Sequence, residues 1–181
     1  MRIFALDPGL HHIMWTLTEW EPDEGDELPP THRQRLVKVH DTGKLEIPRK
    51  CRRKSLDAVL DTTSLISEFR WVDLPYADHA VVEAQHFKAR SVRASDIRDL
   101  AMVTGAVVCC LPYETRFAPT GPGGWSMTKK DIRHARMTDF YFSYFDFEAA
   151  FEPFGKRETG DLMDTVGMAY WSACGCPRSG I

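Results

Sequence analysis

The chain has 181 residues, 43% hydrophobic and 27% charged, a size and composition that suit one globular domain with a sizeable core. No apolar run reaches the roughly 18 residues a membrane-spanning helix needs, and the opening Met-Arg-Ile-Phe-Ala-Leu-Asp meets a carboxylate too soon for a secretory signal. The net charge of −3 by itself argues against a nucleic-acid binder, but residues 19–27 carry six acids and no base while residues 33–54 carry nine Lys/Arg against Asp41 and Glu46.

Residues 2–7 read as a buried strand that ends in a carboxylate, and Pro8-Gly9 turns the chain. Residues 12–20 alternate well enough to pair with it antiparallel, and 21–31, rich in prolines and acids, form a loop. Residues 35–46 predict a third strand with a turn near Asp41-Thr42-Gly43. Leu56, Val59, Leu60, Ile66 and Phe69 recur at helical spacing, which predicts an amphipathic helix over 53–70. The β-rich run 78–84 ends near Glu83 and echoes the first strand. A helix follows from Ser95 to about Cys110, stopped by Pro112. Residues 115–119 are a fifth strand, 120–125 a flexible loop, and a helix begins near Thr128. The aromatic run 139–151 reads as core packing, and Thr159 as the cap of a last helix to about Ala173. The order βββαβαβαα predicts an α/β fold, a five-stranded mixed sheet flanked by helices in one domain spanning 1–181.

Asp7 and Glu83 both stand where an apolar strand ends. Asp161 and Asp164, spaced i, i+3, share one helix face beside a packing stripe of Leu162, Val166, Ala169 and Tyr170. Each acid also has an ordinary reading: a turn residue, a strand-end charge, or a charge near a helix N-terminus. If the four converge, like charges a few Å apart force protonation unless a cation joins them. An all-oxygen donor set suits Mg²⁺ or Mn²⁺ rather than zinc. The five cysteines, Cys51, Cys109, Cys110, Cys174 and Cys176, include no paired CxxC and read as reduced thiols of a cytoplasmic protein. His11 and His12, beside Asp7, read as turn or surface residues.

On Ala-Leu-Asp-Pro-Gly-Leu-His-His-Ile-Met-Trp-Thr-Leu (5–17), Ala-Val-Val-Glu-Ala-Gln-His-Phe (80–87) and Asp-Leu-Met-Asp-Thr-Val-Gly-Met-Ala-Tyr-Trp (161–171), the chain resembles the RuvC family of Holliday-junction resolvases, within the RNase H-like superfamily. The resemblance runs over essentially the whole chain, in order and spacing. It implies an RNase H-like fold and a metal-dependent endonuclease that nicks four-way DNA junctions symmetrically. Asp7, Glu83, Asp161 and Asp164 match the family's four acids. The resemblance therefore implies that they hold two Mg²⁺ ions, with Mn²⁺ as a substitute, about 3.5–4 Å apart for in-line phosphodiester hydrolysis. Asp7 would bridge the ions, and the products would carry 5′-phosphate and 3′-hydroxyl ends. Lys130, or Lys129, would neutralise charge on the phosphate.

Phe87, flanked by Lys88, Arg90 and Arg93, matches a family aromatic that wedges at the junction centre. Arg49, Lys50, Arg52, Arg53 and Lys54, with Lys129, would grip phosphates. A junction has two strands to cut, so a C2 homodimer is expected, with the helix over 94–110 and its Gly105 and Ala106 as the interface. The sequence departs from the family pattern where Ala84 separates Glu83 from Gln85, where Thr165 replaces an alanine, and where residues 117–128 hold no lysine. These departures, with the acidic 19–27 and basic 33–54 segments, point to a divergent member, cellular or phage-encoded. Its cleavage preference and any branch-migration helicase stay open.

Three other readings compete. A YqgF-like RNA-processing enzyme or a flap nuclease would run the same chemistry on another substrate. An actin- or sugar-kinase-type phosphotransferase needs two such domains and a second glycine-rich phosphate loop, which 181 residues with one Asp-Pro-Gly do not supply. A non-catalytic junction binder gains nothing from clustered carboxylates beside phosphates.

Overall fold

The computed structural model describes residues 1–25, 29–48, 56–84, 94–121, 124–126 and 128–177. Strands β1 (Arg2–Pro8), β2 (His12–Pro22), β3 (Gln34–Glu46), β4 (His79–Ala84) and β5 (Thr115–Pro119) form one sheet in the order β3-β2-β1-β4-β5. The first three are antiparallel neighbours, and β4 and β5 run parallel to β1. Helix α1 (Leu56–Glu68) precedes β4 and α2 (Ala94–Cys110) precedes β5. After β5 come α3 (Lys130–Arg136), a π-helical turn (Met137–Tyr141), the short α4 (Phe147–Ala150) and α5 (Lys156–Ala173).

Strand alternation divides the core into two layers. Ile3 and Ala5 of β1 and Val81 of β4 pack with Leu162, Val166, Ala169 and Tyr170 of α5. Phe4, Leu6, Ala80 and Val82 point the other way, to Trp15, Ile66 of α1, and Val103 and Val107 of α2. Each large apolar side chain so buried contributes about 1.5–3 kcal/mol, which pins the register. The same alternation puts Asp7 and Glu83 on the α5 side, and a slip of one residue would carry them to the opposite face.

The elements follow the expected order except that the π-helical turn and α4 come between the two expected last helices, and four details differ. No turn interrupts β3 at Gly43. That residue sits opposite Trp15 in the ladder, and a Cβ there would come within 2.0 Å of Trp15 Cζ2, so glycine lets the indole lie across the strand. The loop after β5 is not slack at its end, because Trp125 is fully buried and its backbone N–H donates to the Pro119 carbonyl at 2.9 Å. Helix α3 starts at Lys130 rather than near Thr128. Helix α5 starts at Lys156, capped by Gly155, and Thr159 lies inside its first turn with its hydroxyl donating to the Gly155 carbonyl at 3.2 Å.

In the aromatic run, Phe142, Phe147 and Phe151 are core residues as expected, while Phe140 and Tyr144 are exposed. Cys109, Cys110, Cys174 and Cys176 are free thiols, and Cys51 lies outside the described residues. Among the described residues no helix is long and apolar enough to cross a membrane.

Candidate active site

One step beyond the Leu6–Val82 pair of the parallel β1–β4 ladder, both strands carry an acid. The Asp7 and Glu83 side chains hydrogen-bond to each other. Two bare carboxylates only accept, so this contact requires a proton between them. Burial is the main reason the Asp7 carboxyl is pushed well above the usual carboxylate range, followed by Glu83 and then the charges of Asp164 and Asp161. Burial also raises Glu83, which is 9% exposed, and outweighs the opposing hydrogen bond to Asp7. The pair titrates as a unit that keeps a proton longer than an ordinary carboxyl.

Helix α5 supplies the second pair. Leu162, Met163 and Val166 are buried, and Asp161 and Asp164 sit one turn apart beside them. Lys130 Nζ bridges the two, at 2.7 Å from Asp161 Oδ1 and 2.8 Å from Asp164 Oδ2. Asp164 Oδ1 accepts from Arg133 Nη2 at 2.6 Å and lies 2.8 Å from His134 Nε2. His12 Nε2 stands 3.1 Å from Asp161 Oδ2. Burial pushes the Asp164 carboxyl up, but the His134 hydrogen bond, Arg133 and Lys130 together prevail and hold it down at about 2. Burial works against the Lys130 ammonium, yet its bonds to Asp161 and Asp164 raise it above the usual lysine value.

Arg133 is itself fixed. It is 5% exposed, its Nη1 donates to Ser126 Oγ at 2.5 Å and to the Thr128 carbonyl at 3.0 Å, and its guanidinium lies 4.4 Å over the Trp125 ring. Trp125 in turn lies against Gly167 of α5, where a Cβ would come within 2.9 Å of Trp125 Cζ3. The segment after β5, α3 and α5 are thereby locked together around Asp164.

Of the residues expected from the sequence, Asp7, Glu83, Asp161, Asp164 and Lys130 are brought together. Lys129 is exposed at the start of α3 and makes no ion pair with the described residues. Phe87, Lys88, Arg90, Arg93, Arg49, Lys50, Arg52, Arg53 and Lys54 lie outside the described residues. The sequence reading missed His12, Arg133 and His134. Lys130, Arg133 and His134 recur at i, i+3, i+4, one face of a helix, which is the signal that marks them as partners for the i, i+3 acids of α5. His12, expected at a turn or surface, bonds to Asp161 instead. The Pro8-Gly9 turn brings the start of β2 back beside the end of β1, with Gly9 N–H donating to the His12 carbonyl at 3.0 Å.

Among the described residues no three His, Cys, Asp or Glu side chains are already drawn onto one point. The four acids stand as two pairs, one closed carboxyl to carboxyl and the other closed by the Lys130 ammonium. Both closures mark where the carboxylates need positive charge. The four are all hard oxygen donors, so the donor chemistry fits a divalent cation such as Mg²⁺ or Mn²⁺.

No protein-family model matches the chain, and no curated protein matches it by sequence. In structure it is similar to T. thermophilus RuvC in complex with a Holliday-junction substrate, at a TM-score of 0.51 and 12% identity over 98% of each chain. Weaker similarities are to Thermus thermophilus RuvC (TM-score 0.46, 15% identity, 98% of this chain and 99% of that one) and to a Fowlpox virus resolvase with Holliday-junction DNA (TM-score 0.45, 10% identity, 94% and 99%). The first likeness extends over both chains nearly end to end and shows the fold: an RNase H-like, five-stranded mixed sheet flanked by helices.

Proposed function

We propose that this protein is a metal-dependent, structure-selective endonuclease that resolves four-way DNA junctions by symmetrical nicking, working as a homodimer of single-domain subunits. The observation that carries the reading is the meeting of Asp7 and Glu83, from neighbouring parallel strands, with Asp161 and Asp164 of α5 on an RNase H-like sheet. The RuvC whose fold this chain shares was solved on a Holliday-junction substrate, which supports that substrate class.

Asp7, Glu83, Asp161 and Asp164 would hold two divalent cations, Mg²⁺ with Mn²⁺ as substitute, which when bound polarise an attacking water and stabilise the leaving oxygen of an in-line displacement. The surrounding side chains orient these acids. Arg133 and His134 occupy Asp164 Oδ1 and leave Oδ2 as its ligand-facing oxygen. His12 occupies Asp161 Oδ2 and leaves Oδ1. The two oxygens left over are those bridged by Lys130. Its ammonium therefore stands where the acids demand a cation. Once displaced, it is placed to offset negative charge that builds on a phosphate in the transition state.

Nicking of a synthetic mobile four-way junction should be measured beside linear duplex, flap and RNA–DNA hybrid, in Mg²⁺ or Mn²⁺, with an Asp7→Asn protein alongside. The expected outcome is paired symmetrical nicks on the junction, reduced by about 10²–10⁴-fold or more in the variant. Cleavage of flap or hybrid instead would keep the chemistry and change the substrate. Tight junction binding without cleavage by the parent chain would overturn the enzyme reading.

A further inference from the structure

Beside Asp7 and Asp161 the surface hollows into two cavities of about 190 Å³ and about 550 Å³. Asp7 and Asp161 line the smaller, Lys156 and Glu158 line the larger, and His11, His12 and Arg157 line both. The cavities therefore form one trough that leads from the carboxylates to the first turn of α5. Asp7 and Asp161 mark one end and Lys156 and Glu158 the other, with Arg157 reaching both.

The acid at the Lys156 end is already engaged. Glu158 Oε1 accepts from Lys44 Nζ at 2.5 Å and Glu158 Oε2 from the Gly155 N–H at 3.0 Å. Because that N–H is taken, the site rests on side chains and not on the helix end. Arg157 stands four residues before Asp161, the spacing at which a helical Arg–Asp pair normally closes. It does not close here: Asp161 Oδ1 is bonded to Lys130 and Oδ2 to His12. Arg157 and Lys156 are both exposed, and neither makes an ion pair with the described residues. Two cations are thus kept available on the wall of a trough whose other end is the candidate catalytic centre.

We propose that this trough seats a backbone phosphate of the strand being cut, next along the strand from the phosphate at the carboxylates, with Arg157 as its principal ligand and Lys156 beside it. The inference rests on the nuclease reading above and adds to it a place for the flanking strand. A guanidinium fork matches two phosphate oxygens. Contacts of this kind fix the register of a strand without reading its bases. The trough accordingly sets which phosphate is presented to Asp7 and Asp161, while sequence preference arises elsewhere.

The test is the salt dependence of binding to a fluorescent four-way junction and to a linear duplex, by anisotropy in EDTA so that nothing is cut. The proteins compared are the parent chain, Arg157→Ala, Lys156→Ala/Arg157→Ala, and Arg35→Ala. Arg35 is an exposed cation near the opposite end of the β2–β3 ladder and serves as the control. Removing one phosphate contact should make the slope of log affinity against log salt shallower by about 0.9, and removing two by about 1.8, with the control unchanged. A slope unaltered in both trough variants, with the parent still binding, would overturn the inference and leave the proposed nuclease standing. Equal parental binding to junction and duplex, with both slopes reduced in Arg157→Ala, would uphold the trough and remove the junction preference. A parent chain that binds neither DNA would overturn both.

Discussion

Asp7, partly exposed, and Glu83, buried, lie side by side at the ends of two strands whose middles are buried, so the apolar core on one side reduces the screening of negative charge there. Burial and repulsion among the acids push both carboxyls above their usual range, and the crowding works against the folded state. Asp164 illustrates the opposite solution, a buried carboxylate held ionised by Arg133, His134 and Lys130. Substitution should therefore separate the two pairs. Asp7→Asn should raise the melting temperature in EDTA by about 2–4 °C, equivalent to about 1 kcal/mol for a chain of this size. Mn²⁺ should stabilise the parent by mass action and leave the variant nearly unmoved. Thermal melts with and without Mn²⁺ check both, and a variant less stable than the parent in EDTA would contradict the repulsion argument.

At the scale of elements, the sheet separates stability from chemistry by face. Gly43 packs under Trp15 on the α1–α2 side, away from the acids. Gly43→Ala should cost about 1–3 kcal/mol by overpacking while activity per folded molecule is preserved. Urea unfolding alongside nicking assays would show this, and a loss of activity without loss of stability would refute it. On the other face His79 opens β4, is 3% exposed, and has Nε2 2.9 Å from Ser172 Oγ of α5. Burial, with the Arg116 charge second, lowers its imidazole below the ordinary 6.5. The unfolded chain therefore takes up this proton at a higher pH than the folded one. In the window between them the unfolded state binds more protons, so the contribution of His79 is complete above about pH 6.5 and is lost as pH falls through the window. Denaturant midpoints between about pH 8 and pH 5 should decline toward acid, and His79→Gln should flatten that part of the decline.

For the whole molecule, the net charge of −3 conceals a division of labour between acidic and basic stretches, and the candidate site repeats that division over a few residues. Symmetrical cutting requires two sites, hence the proposed two-fold dimer. On α2, Gly105 is exposed, and a Cβ added there would meet nothing within 4 Å in its own subunit. Gly105→Arg should leave each subunit folded and shift the protein from dimer to monomer in sedimentation velocity at micromolar concentration. A parent chain that sediments as a monomer at that concentration would remove the dimer.

The five strands and the helices around them were legible because periods of two and of 3.6 residues are written locally in the order of apolar side chains. The four acids were legible because each interrupts or flanks such a pattern: Asp7 and Glu83 at strand ends, Asp161 and Asp164 along a packing stripe. Gly43 was misread as a turn because the reason for a glycine there is Trp15 on the neighbouring strand, which no local window contains. Burial of Trp125 against Gly167, the clamp of Arg133 on Asp164, and the reach of His12 to Asp161 depend on segments 31 to 149 residues apart being folded together. The sequence by itself determined which residues could carry charge into the core. Only the tertiary structure decided which charges meet, because electrostatic partners are chosen by distance in space, and burial makes the choice expensive to reverse.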